Sequence, residues 1–201
     1  MPSALALQFQ NPQRLLAATD HNATFVRRNN LGRRAREFYS SGMVHVGIGY
    51  DVHALVAGRK LILGGVEVPH AKGLDGHSDA DALMHAICDA LLGALGEPDI
   101  GHFFPNTDPR WKNAPSKMFL EEAAKQVAKR KGKIVNVDAT IIAQAPKLYS
   151  HIAEMKKRIA AALGVSEKQI GIKATTNEKM GFIGREEGIA AMAVAGVDLP
   201  E

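Results

Sequence analysis

Apolar residues alternate with small or polar ones along Val44-His45-Val46-Gly47-Ile48-Gly49-Tyr50, the period of a strand with one covered face. That strand delivers Asp51 and His53 at its end, and side chains two apart on an extended chain project to the same side. Leu61-Ile62-Leu63 and Val66-Glu67-Val68 flank Gly64-Gly65, which predicts a hairpin projecting as a flap and ended by Pro69. The stretch Lys72 to Asp81 is polar and Gly-rich and reads as a loop. Leu83, Ile87, Leu91 and Leu95 then recur every fourth residue, predicting a helix capped by Ser78 or Asp79 and stopped by Gly96.

A second helix starts at a Ser116 cap, buries Phe119, Leu120, Ala123, Ala124 and Val127, and stops at Gly132. A strand follows at Val137, Ala139, Ile141 and Ala143, and a third helix turns Ile152, Met155, Ile159 and Leu163 inward. Ile170, Ile172 and Ala174 mark the next strand. Gly181 to Arg185 continues a polar loop, and Gly188 to Val197, nearly all small and apolar, predicts a strand covered on both faces, in an oligomer or under helices. The order of these elements predicts an α/β (α+β) fold: a two-layer domain with helices on one side of a mixed sheet.

Charge divides the chain. Residues 1–42 hold six Arg and two acids, whereas the remaining 19 Lys+Arg and 19 Asp+Glu cancel. The folded part, 43–201, therefore has no bias toward polyanions, and nucleic acid is not an expected partner. The run Lys129-Arg130-Lys131 reads as a cationic helix end opposing the macrodipole. Residues 1–42 lack a hydrophobic period and read as an extension outside the core. Three origins compete for it: a plastid or mitochondrial transit segment, a dispensable arm, or an upstream start with Met43 as the true beginning. The location expected is cytoplasmic in a bacterium, or plastid for a transit peptide. No apolar run reaches the length of a membrane span, and the single cysteine, Cys88, excludes a disulfide framework and reads as buried helix filler.

The candidate chemistry gathers at strand ends and loops. Asp51 and His53 offer two ligand types on one face, and His85 closes a three-ligand site where the first helix packs against the strand end. Asp79 and Asp81 are candidates for the carboxylates that orient ligating histidines. Asp89 lies one turn beyond His85. Lys147, following a strand and Pro146, is a phosphate candidate, and Thr175, Thr176 and Glu178 crowd one turn. Neither a Gly-x-x-x-x-Gly-Lys-Ser/Thr loop nor a Gly-x-Gly-x-x-Gly helix start is present, so a phosphate would be held by metal, lysine and hydroxyl contacts.

Tyr50-Asp51-Val52-His53, Leu63-Gly64-Gly65-Val66, Gly76-His77-Ser78-Asp79, Asp99-Ile100-Gly101, Ile142-Ala143-Gln144-Ala145-Pro146-Lys147, Lys173-Ala174-Thr175-Thr176 and Gly184-Arg185 together resemble the 2-C-methyl-D-erythritol 2,4-cyclodiphosphate synthase family. The resemblance runs from Val44 to Val197. It implies conversion of 4-diphosphocytidyl-2-C-methyl-D-erythritol 2-phosphate to the cyclic diphosphate with release of CMP, in non-mevalonate isoprenoid biosynthesis. It implies Zn2+ on Asp51, His53 and His85, and Mg2+ or Mn2+ between the substrate phosphates with help from Glu178. By the same resemblance His77 and Ser78 contact the methylerythritol phosphate. Asp99 and Gly101 form the sugar loop with Asn106 and Asp108, and Asn106 replaces an aspartate found in many relatives.

Ala143, Ala145, Pro146, Lys147 and Leu148 resemble a cytidine pocket, with Thr175 and Thr176 as phosphate and base contacts and Phe182 and Arg185 nearby. Thr176, His77 and Asp89 are the residues expected to assist the reaction. Sites shared between chains imply a homotrimer. The competing class is a trimeric nucleotide-binding or regulatory module of the same fold without catalysis, which predicts lost ligands, whereas here the ligand residue types are present.

Overall fold

The computed structural model describes residues 43–200, so the expectations for the extension at residues 1–42 lie outside the described residues. The strands are β1 (Met43–Ala57), β2 (Leu61–Leu63), β3 (Val66–Val68), β4 (Lys72–Leu74), β5 (Lys133–Ile142), β6 (Ile170–Thr175) and β7 (Gly188–Leu199). The helices are α1 (Ala82–Ala94), α2 (Ile100–Phe103), α3 (Lys117–Lys129), α4 (Ile152–Leu163) and α5 (Gly181–Gly184). One five-stranded sheet has the order β4-β1-β7-β5-β6. Only β5 and β6 pair in parallel, so the sheet is mixed. Helices cover one face of it, and the α+β class read from the pattern holds.

The contact that places the site is α1 against β1. Gly47, Gly49, Asp51 and His53 share one face of β1 because side chains alternate along a strand. A Cβ on Gly47 would stand 2.0 Å from the Ala90 carbonyl oxygen, and one on Gly49 only 1.9 Å from that of Ala86. Ala82, Ala86, Ala90 and Ala94, one turn apart, give the helix a face without bulk. Backbone therefore lies on backbone. The helix descends from Gly47 toward Gly49 as it is followed back toward its start, so its first turns reach Asp51 and His53 and carry His85 to them.

Several expectations need correction. β1 does not end at Tyr50: it continues to Ala57, and its last three residues pair with β4, a strand inside the predicted Lys72–Asp81 loop. The hairpin is no free flap. Leu61, Leu63, Val66 and Val68 are buried, and the Gly64 and Gly65 amides donate to the Asp81 carboxylate at 2.9 and 2.6 Å. Asp81, not Ser78 or Asp79, caps α1, accepting the Met84 amide at 3.1 Å. Burial and the charge of Asp79 push the Asp81 carboxyl up to about 6 even with three amide donors on it.

α1 is buried nearly all round, not along one stripe, because the sheet and α3 enclose it. One-turn helices, α2 and α5, replace the predicted loops at Asp99–Phe103 and Gly181–Arg185. Within the single chain one face of β7 is covered, and Met192 and Val194 on the other are exposed. They join Val44, Val46, Ile48 and Tyr50 in an open apolar face on the side of the sheet away from α1.

Cys88 is buried and free, and burial pushes its thiol far above the ordinary range, as befits filler. Arg130 donates to the Leu95 carbonyl oxygen at 2.7 Å and pairs with Glu97, so this cation fastens α3 to the end of α1. Among the described residues, no helix is long and apolar enough to cross a membrane.

Gly49→Ala should displace α1 rather than be absorbed, since the clash is with helix backbone. We expect a loss of about 3 kcal/mol or more in urea unfolding, the upper end of overpacking costs. A loss under about 1 kcal/mol would mean that helix and strand are not held this closely.

Candidate metal centre and nucleotide pocket

Asp51 Oδ2 lies 2.9 Å from His53 Nε2 and 2.9 Å from His85 Nδ1, and the two ring nitrogens are 3.2 Å apart. Among the described residues this is the group of three that can converge on a metal ion. Ligands at about 2.0–2.1 Å around a tetrahedral ion are roughly 3.3 Å apart, so a shift of a few tenths of an ångström fits one. Burial would raise the Asp51 carboxyl, but hydrogen bonds to both imidazoles hold it well below the usual carboxylate range. For His53, burial lowers the pKa, yet the Asp51 partner wins and raises it.

Each ring is oriented from behind, as ligating histidines usually are. His53 Nδ1 donates to the Asp75 carbonyl oxygen at 2.6 Å, which turns Nε2 toward Asp51 and makes it the nitrogen available to a metal. That carbonyl is presented by the strand pairing missed in the sequence: the Asp75 amide donates to Ala54 just beyond β4. Arg59 clamps the same loop, donating to the Gly76 and Ser78 carbonyl oxygens at 2.8 Å each. His85 Nε2 lies 2.7 Å from Ser116 Oγ, and that hydroxyl donates to Asp79. Of the two carboxylates expected to support the histidines, Asp79 is so placed and Asp81 is not, being committed to the cap and the hairpin.

Ser116, Arg59 and the Asp75 carbonyl were missed by sequence reasoning. A serine before an apolar helix reads as a cap, yet the Ser116 side chain makes no capping bond, because its hydroxyl is taken by His85 and Asp79. The only available signal was that Pro115 and Ser116 follow a turn-rich stretch.

Around the triad, Ser78 is buried with Oγ 3.3 Å from His85 Nε2, and His77 Nε2 lies 3.1 Å from the Asp108 carbonyl oxygen. Asp99 caps α2, which contains Gly101, and Asp108 holds Arg110 through both carboxylate oxygens. Asn106 is exposed. Asp89 accepts the Ile100 amide at 2.7 Å, and burial raises its carboxyl. Trp111, edge-on to Phe104, is the one buried side-chain donor among the described residues with no hydrogen-bond partner.

A second constellation forms across the sheet. Ala143, Gln144, Pro146, Lys147, Leu148, Tyr149, Ala174, Thr175 and Thr176 line a cavity of about 230 Å³. Thr176 Oγ1 donates to Glu178 at 2.5 Å, and the Ala145–Pro146 peptide is cis. Arg185 pairs with Glu187, and Phe182 is partly exposed. None of the cavity's lining residues belongs to the triad. A larger cavity, about 570 Å³, lies between the hairpin, Asn113–Lys117 and α4, and only its Asp79 wall touches the metal centre's supports.

Fold and site thus define an α+β domain with a carboxylate and two imidazoles aimed at one point and a separate pocket among lysine and threonine side chains. Residues 44–198 match the YgbB family, and the chain belongs to that family. A 2-C-methyl-D-erythritol 2,4-cyclodiphosphate synthase of Dechloromonas aromatica is 60% identical over 153 residues, 76% of this chain and 96% of that protein. A bifunctional IspD/IspF enzyme of Granulibacter bethesdensis is 48% identical over 198 residues, 98% of this chain and 53% of that protein. The latter match takes in most of residues 1–42. Among solved structures, the Plasmodium falciparum IspF CDP complex superposes with a TM-score of 0.70 at 34% identity, covering 80% of this chain and 99% of that one. The resemblance read from the motifs is borne out.

His85→Ala takes away one of three ligands and should abolish stoichiometric zinc uptake, measured on protein dialysed against zinc and desalted, while far-UV circular dichroism stays unchanged. A full equivalent of bound zinc in the variant would place the ligands elsewhere.

Proposed function

We propose that this chain catalyses the cyclisation for which its relatives are named. It takes 4-diphosphocytidyl-2-C-methyl-D-erythritol 2-phosphate to 2-C-methyl-D-erythritol 2,4-cyclodiphosphate and CMP. The observation that carries the reading is the convergence of Asp51, His53 and His85 in a member of the YgbB family. In the reaction an oxygen of the substrate's 2-phosphate attacks the β phosphorus. The bond from that phosphorus to the bridging oxygen breaks, and CMP leaves with the electron pair. Phosphoryl transfer of this kind asks the protein chiefly for alignment and charge neutralisation.

Asp51, His53 and His85 would hold Zn2+, and Glu178 would help hold Mg2+ or Mn2+. Such ions, when bound, polarise phosphoryl oxygens and offset developing negative charge. His77 and Ser78 are suited to the 2-phosphate, standing in the loop that Arg59 and Asn113 fasten beside the triad. Asp99, Gly101, Asn106 and Asp108 belong to the adjoining sugar loop, and Asp89 steadies it through the Ile100 amide. Lys147 offers a point charge to a nucleotide phosphate or ribose, and Thr175 and Thr176 offer hydroxyls. The lyase class and metal dependence belong to this reading.

The two constellations lie apart within one chain. Asp51 pairs with Ala191, Ala191 with Ile141 and Ile141 with Ala174, three strand steps of about 4.8 Å or roughly 14 Å in all. On this reading a single chain presents half of two sites, and a homotrimer would complete each from neighbouring copies. The open apolar face, where Val46 and Ile48 are each 67% exposed, supports such an assembly.

The test is to supply the purified protein with the cytidylylated substrate, zinc and magnesium. Equimolar cyclic diphosphate and CMP are expected. Nucleotide binding without turnover would favour the non-catalytic module instead. Lys147→Ala should weaken CMP binding about tenfold by titration calorimetry, the loss of one charged contact; unchanged affinity would leave the Pro146-Lys147 turn a structural feature. Ile48→Asp should give monomers in sedimentation and lose turnover, whereas an active monomer would contradict the shared site.

A further inference from the structure

Ser116 is fully buried at the cap position just before α3, where a serine hydroxyl ordinarily caps, yet its side chain accepts no helix amide. Its hydroxyl instead stands between two groups. On one side it donates to Asp79 Oδ1, and on the other it lies 2.7 Å from His85 Nε2. Asp79 grips the same residue a second time, its Oδ2 accepting the Ser116 amide at 3.0 Å, and it also accepts the Asp81 amide at 3.2 Å. Backbone bonds from Asn113 to His77 at 2.8 Å and from Asp79 to Ala114 at 3.1 Å strap the two loops together. The pair is held from both sides.

Hydrogen bookkeeping then decides the imidazole. A hydroxyl has one proton, and it is committed to the carboxylate, so toward His85 the oxygen acts as an acceptor. His85 Nε2 must carry a hydrogen, so Nδ1, which lies 2.9 Å from Asp51 Oδ2 and faces His53, is the nitrogen left to ligate a metal. Ser78 Oγ, at 3.3 Å, is a weaker second partner on the same side.

We propose that Ser116 and Asp79 are positioning residues that fix the proton of His85 on Nε2 and aim Nδ1 at the metal point. The metal half of this inference rests on the proposed function. The proton half stands on the metal-free protein. Neither residue touches substrate in this account; both act through His85. Removing such a partner typically costs ten- to a hundredfold in metal affinity.

The test uses the full chain and its Ser116→Ala, Ser116→Thr and Asp79→Asn variants. In metal-free wild type, nitrogen-15 spectra of the His85 ring should show a protonated Nε2, and a bare Nε2 would overturn the relay whatever the fate of zinc. Zinc affinity by chelator competition should fall ten- to a hundredfold in Ser116→Ala and recover in Ser116→Thr. In the zinc-loaded protein the Nε2 proton should be a slowly exchanging downfield signal that Ser116→Ala removes. Thermal melting of the metal-free variants separates a structural role: a lowered melting temperature with zinc affinity within twofold of wild type would overturn the proposal. Should Ser116→Thr fail to fit its buried site, Asp79→Asn decides by the same affinity measure, again with a change under twofold as the contrary result. Wild type that binds no zinc would refute the metal reading alone, since the nitrogen spectra still decide the proton.

Discussion

The contact of helix backbone with strand backbone at Gly47 and Gly49 is the constraint on which the rest depends. An ordinary side chain on either residue would stand about 2 Å from a carbonyl oxygen of α1, well inside van der Waals contact. Because neither has one, α1 lies down on β1 and its alanine ridge fills the space. Asp51 and His53 come from the strand and His85 from the helix, so an ångström of separation between the two elements is an ångström of error in the ligand set. A core this closely packed transmits such errors rather than absorbing them.

Once the elements meet, orientation becomes a matter of hydrogen bonds behind the rings. The Asp75 carbonyl oxygen turns His53, and the Ser116 hydroxyl turns His85. Neither role was legible in the main sheet and helix pattern: the Asp75 carbonyl lies just beyond the unpredicted β4, and Ser116, expected only to cap α3, turns its hydroxyl to His85. The Asp81 carboxylate ties the hairpin to the start of α1, fixing the base from which His85 projects. Three short-range devices thus support one three-residue centre. The cavity lined by Lys147, Thr175 and Thr176 is independent of them, standing at the other edge of the sheet beside β5 and β6.

How much of this was legible in the sequence varies with the range of the interaction. Alternation and helical period located the long strands and the three long helices, and the Asp51–His53 pair with His85 was read correctly from strand alternation and a helix packed on it. The β1 extension was missed because Asp51, His53 and Ala54 interrupt the apolar alternation, and the pairing with β4 that holds them is tertiary. Ser116 read as a cap because local propensity favours that role, and only the fold shows His85 beside it. Asp81 and Asp79 were interchangeable on paper; the three amides that claim Asp81 are distant in sequence for the hairpin pair. Of the covering expected for β7, in an oligomer or under helices, the single chain supplies one face and leaves Met192 and Val194 exposed on the other. The family resemblance reached further than any periodicity, because its motifs are spread over both constellations.

X-ray absorption at the zinc edge of the loaded protein tests the central claim most directly. The account predicts a shell of nitrogen and oxygen scatterers at about 2.0–2.1 Å, with the outer-shell pattern of two imidazoles and no sulfur. A sulfur scatterer at about 2.3 Å, or the signature of a single imidazole, would contradict a centre built from Asp51, His53 and His85.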